Sequence, residues 1–282
     1  MYSMSLKHMA ATLLPGNLNA QPAPVPFTEQ NTAAPDKQEI LSIARKVADW
    51  QIKEFPNNKY AVKEPKGWIA GALYMGMFDW AELSGDNQYF DWLKKVFNRQ
   101  HWQVADRMYH ADDVCVSQTY IDMYTKYKED KMLLPTTARI DWVINKPLSY
   151  ERWSWCDALF MAPAVYTRLY TLTGNKKYMI FADAEFKATY NHLYDKDDKL
   201  FFRDSRYFGQ QEANGKKVFW GRGNGWVIGG LAEILKTLPA EDTEYRPFYL
   251  QLFKELSESL ANLQNKDGFW HASLLDPDSY PS

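Results

Sequence analysis

One stretch of the chain reads Trp220-Gly-Arg-Gly-Asn-Gly-Trp226 and runs straight into the helix-like segment Val227 to Leu238. Trp offers a flat apolar face, Arg a planar fork of donors that matches a carboxylate, and Gly lets the backbone come close to a ligand. The combination suits a pocket for an acidic sugar; a glycine-rich turn ahead of a helix, with its tryptophans in the core, uses the same residues. A phosphate loop is excluded because Gly-Lys-Ser/Thr is absent, and a dinucleotide fold because no buried strand precedes the glycines.

Three acidic residues, Asp112, Asp113 and Asp157, stand at the starts of helix-like segments. Asp in that position ordinarily caps the helix or faces its dipole. Around Asp157, however, the chain places Trp153, Trp155, Phe160 and Met161. An apolar setting disfavours the charged carboxylate and raises its pKa, which makes a general acid. A second carboxylate one hairpin away fits sugar chemistry, where two acidic groups commonly act across one bond. Cys115 and Cys156 flank the pair in sequence, and with no histidine partner for a nucleophilic thiol they read as buried free cysteines.

Other function classes drop out. The net charge is -2 and no dense Lys/Arg block occurs, which argues against a nucleic-acid surface. The five histidines, at 8, 101, 110, 192 and 271, show no metal-ligand spacing, so no metal is expected. No apolar run reaches the roughly 18 residues of a membrane span. Eleven Trp and 18 Tyr exceed what a core needs and are available as stacking platforms for sugars.

The elements that must position these residues are helical. From residue 37 onward apolar residues recur at helical spacing, predicting helices over 37–53, 67–83, 86–98, 113–128, 131–145, 155–173, 176–192, 224–238 and 243–265. Lys199 to Asp204 and Lys216 to Phe219 read as a short two-stranded excursion feeding the Trp220 segment. The segment Gly67 to Phe78, ending Leu83-Ser-Gly85, resembles Cys156 to Tyr166, ending Leu172-Thr-Gly174, and Gly85 and Gly174 are 89 residues apart. A third copy begins at Asp112 between them. A spacing of about 45 residues is the length of one helix pair with its loops, inner helix first and outer helix second. Residues 1–35, rich in Ala, Pro, Asn and Thr, read as a flexible leader or signal remnant, and residues 36–282 as one domain.

Four ordered landmarks, Asp112 to Tyr120, Trp155 to Met161, Trp220 to Trp226 and Ser273 to Pro281, resemble glycoside hydrolase family 105, the unsaturated rhamnogalacturonyl hydrolases. The resemblance runs from about Gln38 to the last residue. It implies an all-α (α/α)6 barrel, here without the C-terminal helices that follow in the family, since the chain ends in a loop at Ser282. It further implies removal of a 4-deoxy-4,5-unsaturated uronic acid from the non-reducing end of pectin-derived oligosaccharides; the alternatives are unsaturated glucuronyl disaccharides from glycosaminoglycan or ulvan-type polysaccharides as substrates, or a non-catalytic helical toroid that binds acidic glycans. In that reaction a proton is added to C4 and water to C5, with no metal or organic cofactor. By resemblance Asp157 is the acid/base, and Asp112, or Asp113 if the alignment shifts by one, is the second aspartate. Arg222 then faces the uronate carboxylate, and Trp220, Trp226, Trp155 and Met161 line the pocket. Arg203 or Asp204 is a further candidate. The histidine that relatives carry before the Arg segment has His192 as its only counterpart, in an outer-helix pattern. The partner is the oligosaccharide, and the compartment a bacterial periplasm or cytoplasm.

Overall fold

The computed structural model describes residues 36–55, 64–146 and 153–281; the leader expected over residues 1–35 lies outside them. Among the described residues the α-helices are α1 (Lys37–Glu54), α2 (Trp68–Ser84), α3 (Asn87–Arg99), α4 (Ser117–Tyr127), α5 (Leu134–Asn145), α6 (Ala158–Met161), α7 (Pro163–Thr173), α8 (Lys176–Leu193), α9 (Gly221–Thr237) and α10 (Arg246–Asn262). The only ladder of two strands among them is β1 (Tyr194–Asp195) against β2 (Leu200–Phe201), antiparallel.

The hairpin repeat is real at the level of backbone angles. Gly85 and Gly174 close α2 and α7 in the left-handed region, at φ 66° and 69°, where a side chain would be strained. The next residues, Asp86 and Asn175, then cap α3 and α8 by accepting the N–H of Gln88 and Lys177. The third copy ends the same way, with Lys128 at φ 57° after α4. A second repeated device joins the outer helices. Tyr89 on α3 donates to Asp49 on α1 at 2.7 Å and Tyr249 on α10 donates to Asp183 on α8 at 3.2 Å, while between α8 and α5 Lys177, beside Tyr178, pairs with Asp141 at 2.9 Å.

The inner helices α2, α4, α7 and α9 pack side by side in chain order, each of α2, α7 and α9 backed by its outer partner α3, α8 or α10. The row curves until its ends meet: Trp68 at the start of α2 makes an edge contact with Trp226 on α9, and Lys236 near the end of α9 pairs with Asp79 on α2 at 3.1 Å. Apolar burial falls into one cluster around α1 to α4 and a larger one from the Asp112 turn to α10.

Four sequence expectations need correction. The helix expected over 113–128 is divided into a 3-10 turn, Ala111–Val114, and α4. The one expected over 131–145 likewise opens with a 3-10 turn, Asp130–Met132, before α5. The helix expected over 155–173 is cut at Ala162, because Pro163 has no N–H to donate to the Leu159 carbonyl and so cannot continue the helical ladder. Residues 216–219 do not pair with 199–204; β2 pairs with β1, Lys217 bridges to Gln211, and Trp220 bridges to Ser273.

Candidate active site

The glycines of the Trp220 segment belong to the first turn of α9 rather than to a loop ahead of it. Two of them, Gly221 and Gly223, are crowded by neighbours, whereas Gly225 has open space around it. A side chain at Gly221 would meet the His271 carbonyl, and one at Gly223 would lie 2.5 Å from the Trp220 ring and 2.9 Å from Cys156 Sγ. A side chain at Gly230 would strike the Leu159 carbonyl. This close approach seats the start of α9 on the Cys156–Met161 turn. Backbone bonds from Gly221 N–H to the Ala272 carbonyl and from Leu274 N–H to the Phe219 carbonyl tie the Ser273 segment to the same place.

Asp157 immediately precedes α6. Its side chain makes no capping hydrogen bond, so the ordinary explanation for an Asp at a helix start does not apply here. Cys156 N–H bonds the Arg203 carbonyl at 2.8 Å, and Trp155 bridges to Asp204, which lays residues 203–204 alongside the aspartate. Burial raises the Asp157 pKa, opposed by its own backbone and by the guanidinium charges of Arg203 and Arg222. Those two guanidiniums share one indole: Arg203 Cζ lies 5.4 Å and Arg222 Cζ 4.8 Å from the centroid of Trp220.

Asp112 sits in the 3-10 turn capped by His110, whose Nδ1 accepts the Asp112 N–H at 3.3 Å. Burial, then the charge on Asp157, lifts its pKa to about 6, with Arg107 opposing from 3.8 Å. The two carboxyl groups are therefore coupled across the site. Asp113 is engaged elsewhere. Only 3 % exposed, it accepts the Arg107 N–H at 2.7 Å and the Arg107 Nε–H at 3.0 Å.

The remaining expected residues divide. Trp155 packs against His110 with the rings tilted by 38° and centroids 4.7 Å apart. Trp226 lies between Trp68 and Phe160. Met161 is 0 % exposed within the core cluster, so the expectation that it lines a pocket is corrected: it packs behind the aspartate turn. Asp204 is held by Arg206 through three hydrogen bonds. His192 faces Phe208 from the outer helix α8. Both cysteines are buried, and burial pushes both thiols up.

Sequence reasoning gave little weight to Arg203 and missed His110 altogether. His110 stands two residues before Asp112, a spacing that was available as a signal; Arg203 comes in through the β2 segment, which carries none. Among the described residues no group of three or more His, Cys, Asp or Glu is arranged to hold a metal ion, and no helix is long and apolar enough to cross a membrane.

Known proteins resemble this chain in sequence and in fold. The family described as Glycosyl Hydrolase Family 88 matches residues 43–282. An unsaturated 3S-rhamnoglycuronyl hydrolase of Alteromonas sp. is 34% identical over 274 residues, covering 86% of this chain and 66% of that protein. One of the same name from Formosa agariphila is 38% identical over 236 residues, covering 77% of this chain and 62% of that protein. The chain thus spans just under two thirds of the length of these relatives. A solved structure from Bacteroides vulgatus, described as a glycosyl hydrolase of family 88, is 26% identical with a TM-score of 0.78, over 88% of this chain and 74% of that one. The curved row of hairpins is that of the (α/α)6 toroid.

Proposed function

The chain belongs to glycosyl hydrolase family 88, within the superfamily that also holds family 105, and on that premise we propose that it removes a 4,5-unsaturated uronic acid from the non-reducing end of a rhamnose-linked oligosaccharide. The observation that carries this reading is the coupled pair Asp112 and Asp157, both raised by burial, beside two guanidiniums on one indole. The names of the Alteromonas and Formosa relatives support the substrate class.

In this reading Arg222 pairs with the uronate carboxylate and Trp220 with the sugar face. Docking an anion on Arg222 offsets one of the charges that hold the Asp157 pKa down, so Asp157 keeps its proton more firmly in the complex than in the free site. Asp157 then delivers that proton to C4 of the double bond while positive charge develops at C5. The carboxylate left behind takes a proton from the water that adds at C5, and the hemiketal opens with release of the aglycone. Asp112, next to His110, orients the sugar.

A second reading exchanges the aspartates, and it is favoured by burial and the charge on Asp157, which lift the Asp112 pKa to about 6. The test is the loss of absorbance of the conjugated enuronate in an unsaturated rhamnose-linked disaccharide. Asp157→Asn is expected to lower kcat by about a thousandfold or more and Asp112→Asn by about tenfold to a hundredfold with a raised KM. The opposite order would establish the exchanged roles, and a flat trace from folded wild-type protein would sink both. Arg222→Ala is expected to weaken the unsaturated uronate far more than a neutral sugar; equal losses would make that residue structural.

A further inference from the structure

α6 has four residues and is severed from α7 by Pro163, so no continuous helical ladder fixes the turn that carries Asp157. The turn is instead held from outside. Phe160 N–H bonds the Asp157 carbonyl at 3.0 Å, and the Phe160 carbonyl accepts Gln118 Nε2 at 3.0 Å from α4. The other end of the same amide, Gln118 Oε1, accepts Arg168 Nη1 of α7 at 3.1 Å. Arg168 is 6 % exposed; Nη1 also bonds the Ala164 carbonyl of its own helix at 3.3 Å, and its other donors go to Asp122 of α4 at 3.0 Å and Glu233 of α9 at 2.6 Å. One buried guanidinium therefore joins three inner helices, and one amide links it to the aspartate turn.

A buried ion pair contributes little net stability compared with well-packed apolar residues of the same volume. An arrangement this polar is better suited to fixing geometry. We propose that Arg168 and Gln118 are positioning residues, which set the Asp157 turn against α4, behind the Asp112 turn, and against α9, which bears Arg222. The proposal rests on the assignment of the aspartates made above.

Gln118→Met keeps the side-chain length and removes both hydrogen bonds. Gln118→Glu, ionised beside Arg168, keeps the acceptor but has no N–H for the Phe160 carbonyl. Both are expected to lower kcat between about tenfold and a hundredfold, as small displacements of reacting groups do, while KM stays within about twofold. The pH at which kcat halves is expected to move, since Asp157 faces Asp112, Arg203, Asp204 and Arg222, and its distances to them change. Arg168 itself faces Asp122, Glu233, Lys236 and Cys115, and all of these remain in both variants. The control is Thr136→Val on α5, which removes the buried 3.0 Å bond to Ser117, the neighbour of Gln118 on α4; it is expected to lower the melting temperature and leave kcat and the pH profile in place. A folded Gln118→Met protein with wild-type kcat and pH profile overturns the proposal, as does failure of both Gln118 variants to fold, which would assign the network to the fold alone. Inactive wild-type protein would instead remove the functional reading, and the proposal with it.

Discussion

The α2–α3 hairpin and the hairpin of α6, α7 and α8 share a left-handed glycine followed by a capping side chain, Asp86 in one and Asn175 in the other, yet their inner helices differ. α2 runs unbroken for 17 residues, whereas its copy stops after four and resumes at Pro163. At the 89-residue offset Tyr74 stands where the second hairpin has Pro163, and Trp68 where it has Asp157. The intact copy presents an apolar ring at its start and the cut copy a carboxyl group. The Asp112 turn repeats the lesson, being set off from α4 by Cys115 and Val116. Regular hairpins build the wall, and the acid groups sit where an inner helix has been interrupted, because a detached turn can be aimed independently of the helix behind it.

The sharpest way to break this contrast is through two glycines. A methyl at Gly230 would collide with the Leu159 backbone of the interrupted helix, while one at Gly76 of the intact helix meets nothing within 4 Å. Gly230→Ala is expected to cost about 3 kcal/mol or more in urea unfolding and to lower activity. Gly76→Ala is expected to stabilise by about 0.5–1 kcal/mol. Similar effects at the two positions would remove the claim that the cut turn is packed tightly against α9.

A smaller effect separates the acid groups from the wall by pH. The Asp112 pKa rises from the ordinary 3.8 to about 6, so the folded state favours the neutral acid. Its contribution to stability is complete below about pH 4 and is lost as pH rises through about 6. Asp112→Asn is therefore expected to stabilise the protein by about 1–2 kcal/mol at pH 7.5 and by little near pH 4. A gain that does not change with pH would mean that the carboxyl is not strained by its setting.

The smallest effects test the likeness of the copies. Gly85→Ala and Gly174→Ala should each cost about 1 kcal/mol, since both occupy the left-handed region with open space around them. Lys128→Gly at the third copy should return about the same amount. Unequal losses at the two glycines would show that the hairpins are anchored differently.

Much of the wall was legible in the chain. Gly85 and Gly174 announce the same helix end, Asp86 and Asn175 the same cap, and the apolar spacing gives the helices to within about four residues at either end. The interruptions were harder to read. Pro163 was visible, but a proline close behind a short apolar run is compatible with the first turn of a longer helix, and Cys115 and Val116 carry no breaking signal at all. The Asp112 and Asp113 ambiguity could not be resolved by spacing, because adjacent residues differ only in the partner each meets, and Arg107, which engages Asp113, lies outside the motif. The joints from Tyr89 to Asp49 and from Tyr249 to Asp183 link residues 40 and 66 positions apart, beyond any local pattern. Arg203 reaches the site only because residues 203–204 lie against the Trp155–Cys156 backbone.

The two cysteines give the molecule a built-in clock. Cys115 packs under Gly71 of α2 and feels the charge of Asp112; Cys156 packs under Gly223 of α9 and feels the charge of Asp157. With both thiols buried, a thiol reagent can act only after the neighbouring helix has lifted away. The rate of modification at each sulfur thus times the opening of one acid group's surroundings separately from the other, and a ligand that bridges the two turns would slow both together.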